Sequence, residues 1–447
     1  MSHDSTGAVG ADRPLDRSRE LLDRARRVIP GCSQTNSKAP TRWVQGVAPT
    51  HLERGDGCRV WDVDGNEYID HVSSLGPIVL GHDYPAVTDA VETQVGNGSL
   101  FSLPHRLQVE VAEQVVDLVP CAEMVRFAKN GNDVTTVAAK LARAYTGRDV
   151  VATQGYHGWG DVWMGATEMD RGVPSAVGDL TESFDYNDAD RVEAIFAEHP
   201  DDVAAVVTTP VNLDPPTDDF LVRLRELCDE HDALLVFDEV LTGFRFALGG
   251  AGEFFDVTPD LACFAKAMAN GYPLSALAGR ADVIATVDAD DFFFSTTYAG
   301  DAVSLAAANA TLSILREDPV VEHLAEQGAK LRDGYNERAA AHGLDEVTNA
   351  RGYAPRSAVS FADAGGASAR HCKSLFLQEC LKRGVLFAGT HLPNYSHTDA
   401  DVARTLDVYG EALGVLAGAI ADDAVTKRLE GDPVGATLRE RTGEEGE

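Results

Sequence analysis

The sequence predicts an α/β protein with a mostly parallel central sheet, a smaller C-terminal α+β domain and an N-terminal arm. Short apolar runs such as "MVRFAK" at 124–129, "VAAVVTT" at 203–209 and "ALLVFDEV" at 233–240 alternate with helix-length amphipathic stretches. That alternation requires crossovers between parallel strands covered on both faces. After about residue 319 the texture changes to long helices separated by single short runs, which reads as a second, smaller unit. With 447 residues the chain is long enough for two domains. The expected division is a tail and arm at 1–72, a large domain at 73–318 and a small domain at 319–447.

In chain order, residues 1–18 and 428–447 are charged, glycine-containing and weakly apolar, and are expected to be mobile ends. The arm at about 19–72 contains "GCRVWDVDGNEYID", a hairpin signal centred on Asp64-Gly65. A strand at 124–129 leads to a helix from about 134 to 146, then a strand at 149–154. The run at 203–209, a helix near 218–231 and the run at 233–240 continue the alternation. Beyond 319 the pattern predicts a helix at 320–342, a strand at 356–361, a helix at 368–382, a strand at 384–388 and a last helix from about 398 to 420.

Composition narrows the partners. Thirty-eight basic against 71 acidic residues give a net charge of −33, which argues against nucleic acid or an anionic membrane, both of which need a basic footprint. The acidity either solvates the surface or attracts a cationic substrate, and charge alone does not choose. No run of about 18 apolar residues occurs, and the opening "MSHDSTGAVGADRPLDRSRE" is polar, so a soluble, unexported protein is expected. The seven cysteines are scattered and lack C-x-x-C spacing, suggesting neither disulfides nor a metal site and fitting the cytoplasm.

Four stretches carry candidate chemistry. In "LLVFDEVLTGFR" (234–245) two carboxylates, Asp238 and Glu239, stand where a buried strand runs out, the edge at which such sheets hold ligands. An ionised carboxylate there needs a cationic partner; alternatively both acids belong to a solvated loop or pair with Arg245. "FAKNGNDVTT" (127–136) sets Asn130, Gly131 and Asn132 between a strand and a helix, either an anion site suited to phosphate or simply a capped helix start. "GYHGWG" (155–160) offers Tyr156 for stacking on a flat ring; His157 alone reads as a structural histidine. Of the eight lysines, Lys266 ends an apolar run in "CFAKAMANGYPLSALAG". It is either a surface lysine or, if desolvated, an amine able to capture an aldehyde.

Together, an aldehyde-capturing lysine, a carboxylate for a pyridinium nitrogen, an aromatic stacker and a phosphate cradle describe a pyridoxal phosphate site. The chain also resembles the class III aminotransferases of fold type I over about residues 19–420, in the branch around glutamate semialdehyde aminomutase. The likeness lies in "RVIPG", "VWDVDGNEYID", "GPIVLGH", "LARAYTGRD", "YHG", "LCDEHDALLVFDEVLTGFR" and "FDVTPDLACFAKAMANGYPLSALAG". The resemblance implies that Lys266 is the Schiff-base lysine and proton shuttle, and that Asp238 pairs with the ring nitrogen. It further implies that Tyr156 stacks on one ring face, Val240 supports the other, and Asn130, Gly131 and Asn132 hold the phosphate. Thr297, in "STTYAGDA", would reach the phosphate of a neighbouring subunit, making a homodimer with sites at the subunit interface. No metal is implied.

Departures from that pattern bear on substrate. Lys38 stands where the branch has a carboxylate-binding arginine, Leu75 where it has a tryptophan, and Thr209, in "TTPV", where it has a glutamate. Asn130-Gly131-Asn132 replaces Ser-Gly-Thr. Loss of fixed charge and of a large aromatic suggests a roomier pocket. "SQTNSKAP", "KNG", "GYHGW" and "KAMANGYPLSA" resemble aminotransferases acting on oxidised sugars or aminocyclitols in antibiotic or cell-surface biosynthesis. The expected function is therefore ping-pong amino transfer from a small-molecule donor, glutamate or glutamine, to an oxo-sugar or aminoglycoside carbonyl acceptor. The alternatives are a glutamate semialdehyde aminomutase-type enzyme and a pyridoxal phosphate-dependent epimerase of an amino sugar.

Overall fold

The computed structural model describes residues 13–217 and 219–435. The chain divides into two compact units, one running up to Ser73 and resuming at Leu324, the other spanning Ser74–His323.

In the first unit, β1 (Leu52–Asp56), β2 (Arg59–Asp62) and β3 (Glu67–Asp70) form an antiparallel ribbon. The β2–β3 turn is the expected hairpin: Asp62 N–H donates to the Asn66 carbonyl at 3.0 Å and Gly65 takes φ 89°. The Asp62 carboxylate accepts from the Asp64 and Asn66 amides, at 3.0 and 2.8 Å, so the turn is fixed by its own side chain.

The second unit carries β4 (Met124–Ala128), β5 (Val150–Gln154), β6 (Thr181–Ser183), β7 (Val203–Thr208), β8 (Leu234–Glu239), β9 (Leu261–Phe264) and β10 (Ser275–Gly279). They form one sheet in the order β4-β10-β9-β8-β7-β5-β6. β9, β8, β7, β5 and β6 are parallel neighbours, and β10 runs antiparallel to both β9 and β4. The sheet is thus mostly parallel, with one reversed strand. Every residue of β7 and β8 is buried, which explains the apolar runs that fill β7 up to Thr208 and β8 up to Asp238: helices cover both faces. On one face Val134, Ala138, Leu141 and Ala142 of the helix Gly131–Thr146 pack with Val207, Val236 and Cys263; on the other, Leu224, Leu227 and Cys228 of Phe220–Glu230 pack with Val206, Leu235 and Phe237.

Returning to the first unit, β11 (Thr348–Tyr353) pairs antiparallel with β12 (Arg356–Phe361), β13 (Val385–Leu386) joins β3 in parallel, and β14 (Thr390–His391) joins β12. Helices Val320–Ala341, Ala369–Lys382 and Asp399–Ala421 match the expected ones closely. Tyr335, Phe376 and Tyr409 stack edge-on or tilted at the centre of this core.

Some elements differ from expectation. The helix expected from about 134 starts at Gly131, because the Asp133 carboxylate accepts from the Asn130 and Lys129 amides, at 2.8 and 3.2 Å, and seeds the first turn early. The strand expected at 384–388 shrinks to Val385–Leu386. The end segments expected to be mobile lie partly outside the described residues; inside them a helix already begins at Asp16, and Asp432 bridges Gln45. Among the described residues no helix is long and apolar enough to cross a membrane.

Candidate active site

The sheet registers place the candidate residues along one edge. Gln154 pairs with Thr208, Thr208 with Phe237, Asp238 with Cys263 and Glu239 with Phe264. The segments beyond β5, β7, β8 and β9, carrying Tyr156, Thr209, Val240 and Lys266, therefore leave from the carboxyl ends of adjacent parallel strands, where open α/β sheets bind ligands. Because β10 is reversed between β4 and β9, β4 also points its carboxyl end this way and delivers Asn130–Asn132 to the same edge.

Asp238 is 6% exposed, and one carboxylate oxygen accepts the Val240 amide at 3.0 Å. The other lies 2.7 Å from Nδ1 of His157, itself 3% exposed, so the imidazole N–H donates to it. His157 meets Trp163 edge-on at 5.0 Å, and its carbonyl accepts the Thr135 hydroxyl at 2.6 Å. Neither solvation nor Arg245 thus accounts for Asp238; a second buried side chain does. Tyr156 is 46% exposed, and its partial burial, then the Asp238 charge, raise its phenol above its ordinary pKa.

Glu239 has separate surroundings. One oxygen accepts the Gly252 amide at 2.9 Å and the other the Thr242 hydroxyl. Burial pushes its carboxyl up to about 7. A Cβ on Gly250, whose φ is 87°, would lie 2.8 Å from the Glu239 carboxyl carbon. Glu239 thus organises the chain after β8, an arrangement with no sequence signal beyond a glycine pair at 249–250.

The helix Gly131–Thr146 opens at this edge, and first-turn amides lack intrahelical partners. A Cβ on Gly131 would stand 2.8 Å from Val240 Cγ1, so this glycine allows helix start and strand end to approach. Asn132 accepts the Gly160 amide at 2.8 Å, tying the helix start to the 155–160 loop, while a Cβ on Gly158 (φ 126°) would fall 2.3 Å from the Asn132 oxygen. Behind them Lys129 donates to the Pro273 carbonyl at 2.9 Å and pairs with Asp301 at 3.0 Å.

Lys266 follows β9 and takes φ 41°, an uncommon conformation for a side-chain-bearing residue. Gly76 is near it: a Cβ there would be 4.0 Å from Lys266 Cδ and 2.7 Å from Leu241 Cδ1. Leu75 directly precedes this contact. Thr209 borders the loop carrying Tyr156, its hydroxyl 2.8 Å from the position of a Cβ on Gly155. Thr297 is exposed, in a segment that also exposes Phe293 and Tyr298. Lys38, on the short helix Asn36–Lys38, is exposed and belongs to the other unit. Sequence reasoning missed His157 as the partner of Asp238 and Gly76 as a neighbour of Lys266. The first pairing joins residues 81 positions apart, and the second had only the "LGP" glycine to mark it.

The protein-family model for aminotransferase class-III matches residues 42–413. A glutamate-1-semialdehyde 2,1-aminomutase of Syntrophobacter fumaroxidans is 38% identical over 421 residues, covering 89% of this chain and 96% of the relative. A 3-aminobutyryl-CoA aminotransferase of Cloacimonas acidaminovorans is 34% identical, covering 89% and 97%. Among solved structures, the FumI protein of Sphingopyxis sp. MTA144 with PLP superposes with a TM-score of 0.85 at 32% identity, covering 94% of this chain and 99% of that one.

Proposed function

The chain belongs to the class-III aminotransferases, and from that premise we propose that it is a pyridoxal 5'-phosphate enzyme moving an amino group on a small carboxylate-bearing carbonyl compound. The type of reaction is that of glutamate-1-semialdehyde aminomutase. The observation that carries the proposal is the placement of Asp238 and Lys266 at the carboxyl ends of two paired strands, β8 and β9.

The residues fit the cofactor. Asp238, buried and oriented by His157 and the Val240 amide, offers a fixed negative charge to a protonated ring nitrogen. Tyr156 and Val240 flank the ring. The amides of Gly131 and Asn132 receive the phosphate at the helix start, with Asn130 beside them. Bound pyridoxal phosphate supplies an electron sink for the pair left when a substrate loses its α-proton. Lys266 would anchor the cofactor, and its amine would move the proton at the substrate carbon. His157 keeps Asp238 oriented through their 2.7 Å hydrogen bond. Thr297 serves the phosphate of a second subunit in a homodimer, a role supported by the exposed Phe293 and Tyr298, at 76% and 64%.

For substrate, the aminomutase relative at 38% identity supports the alternative expectation better than the oxo-sugar one. Amino transfer to an oxo-sugar or aminoglycoside carbonyl from glutamate or glutamine stands second. It is favoured by Leu75 and Thr209, uncharged and non-aromatic residues beside Gly76 and Gly155 respectively.

The test is steady-state kinetics of the protein loaded with pyridoxal phosphate, with Lys266→Ala alongside. The expectation is that kcat/KM for glutamate-1-semialdehyde exceeds that for any oxo-sugar by at least about tenfold and that the variant is inactive. The reverse preference would select the sugar reading, and failure to take up cofactor would end both.

A further inference from the structure

We propose that Gly76, anchored by the buried Arg245, is a positioning residue for Lys266. The inference rests on the reading of Lys266 as the cofactor-bearing amine and extends it to a segment that lies far from that lysine in sequence.

The backbone at this point is unusual. Ser73, Ser74 and Leu75 take φ of 44°, 56° and 74°, and Gly76 follows at 101°. Successive left-handed residues persist only where surrounding structure over-determines them. One such constraint is Arg245, which is fully buried and donates through Nη2 to the Gly76 carbonyl at 3.2 Å. Arg245 closes the "DEVLTGFR" stretch that begins with Asp238, and Phe244 before it also has positive φ, at 60°. The carbonyl of Gly76 is therefore tied to the turn after β8.

That tie sets what Gly76 touches. A methyl group on its α-carbon would collide with Leu241 Cδ1 at 2.7 Å while only reaching ordinary contact, 4.0 Å, with Lys266 Cδ. The bare α-carbon of Gly76 thus leaves open a space bordered by Leu241 Cδ1 and the methylene chain of Lys266, whose own φ of 41° aims it from an uncommon backbone conformation. A lysine side chain has four rotatable bonds, so an amine that must meet one carbon needs walls. The Gly76 backbone, with Leu241 packed at its α-carbon, borders that chain, and Arg245 fixes Gly76.

The test measures how fast the full-length protein, stripped of cofactor, captures pyridoxal phosphate at Lys266. Borohydride fixes the captured cofactor as a stable secondary amine, and peptide mass spectrometry locates it. For Gly76→Ala the capture rate constant is expected to fall at least about tenfold and its pH midpoint to move. Gly76→Ala with Leu241→Ala removes the colliding methyl and is expected to recover part of that loss, the strain of a side chain at φ 101° remaining. Leu241→Ala alone, which strains no backbone, is expected to slow capture about threefold; it decides the matter if Gly76→Ala does not fold.

Wild-type rate and pH midpoint in Gly76→Ala would overturn the proposal, as would a double variant no faster than the single one or, should Gly76→Ala not fold, unchanged capture in Leu241→Ala. Failure of the wild type to capture the cofactor at Lys266 would instead remove the reading on which the proposal stands.

Discussion

The two faces of the sheet at the end of β8 receive consecutive carboxylates and treat them differently. The pleat sends Asp238 one way and Glu239 the other. Asp238 is met by a second titratable side chain, His157, and by one amide; Glu239 is met by a hydroxyl and by backbone amides of the segment after it. On the Glu239 face burial dominates and its carboxyl rises to about 7. The difference teaches that two acids in one motif can have separate roles. Asp238 is held by a histidine from the loop after β5, as the proposed cofactor role requires, and Glu239 closes a turn.

Asp238→Asn should break the first half of that comparison, lowering kcat/KM by about a hundredfold or more with little change in thermal midpoint. Retention of near wild-type turnover would contradict the role given to Asp238.

Glu239 should instead respond through stability. Its folded-state pKa lies above its ordinary 4.5, so the native state binds the proton more tightly than the unfolded chain. The stabilisation is full below about 4.5 and is lost as pH rises through about 7, a change on the order of 3 kcal/mol. Glu239→Gln should flatten this fall, measured as the difference in urea midpoint between about pH 5 and about pH 8. An unaltered slope would place the titration elsewhere.

His157→Phe sharpens the Asp238 side. It leaves one carboxylate oxygen without its donor and should cost roughly tenfold in kcat/KM, with the pH–rate profile displaced. Restoration by His157→Gln would tie the effect to hydrogen bonding. The smallest effect is expected from Asn132→Ala, which removes the bond to the Gly160 amide: about 1 kcal/mol in thermal unfolding, with weaker cofactor retention read by dialysis.

The strands most legible in the sequence were β7 and β8, buried along their whole length and built mainly of apolar residues, while β4 was readable from a shorter run although Met124 and Arg126 are exposed. β6 has three residues, β10 reads "SALAG" and β11 reads "TNARGY"; none has a period or a run of bulky apolar residues to announce it. The reversal of β10 was invisible for the same reason, since direction is set by the connection and not by residue type. Asp238 and Lys266 were readable as candidates because each ends an apolar run. His157 was not, since a histidine in a glycine-flanked loop looks the same whether it meets a carboxylate or a carbonyl. The role of Glu239 was equally hidden, and its amide partners at 251–252 show why: they arise from a turn that no local pattern predicted.

The reversed strand also has a consequence for synthesis of the chain. β4 sits at the sheet edge with β10 as its one neighbour, and Ala128 pairs with Ser275. Nearly 150 residues therefore leave the ribosome before β4 meets its partner, roughly 10–30 s at ordinary translation speeds. Until then Asn130–Asn132 hang from an unpaired strand, so the cradle at the helix start would be among the last parts of the second unit to be assembled, after β5, β7, β8 and β9 have been made.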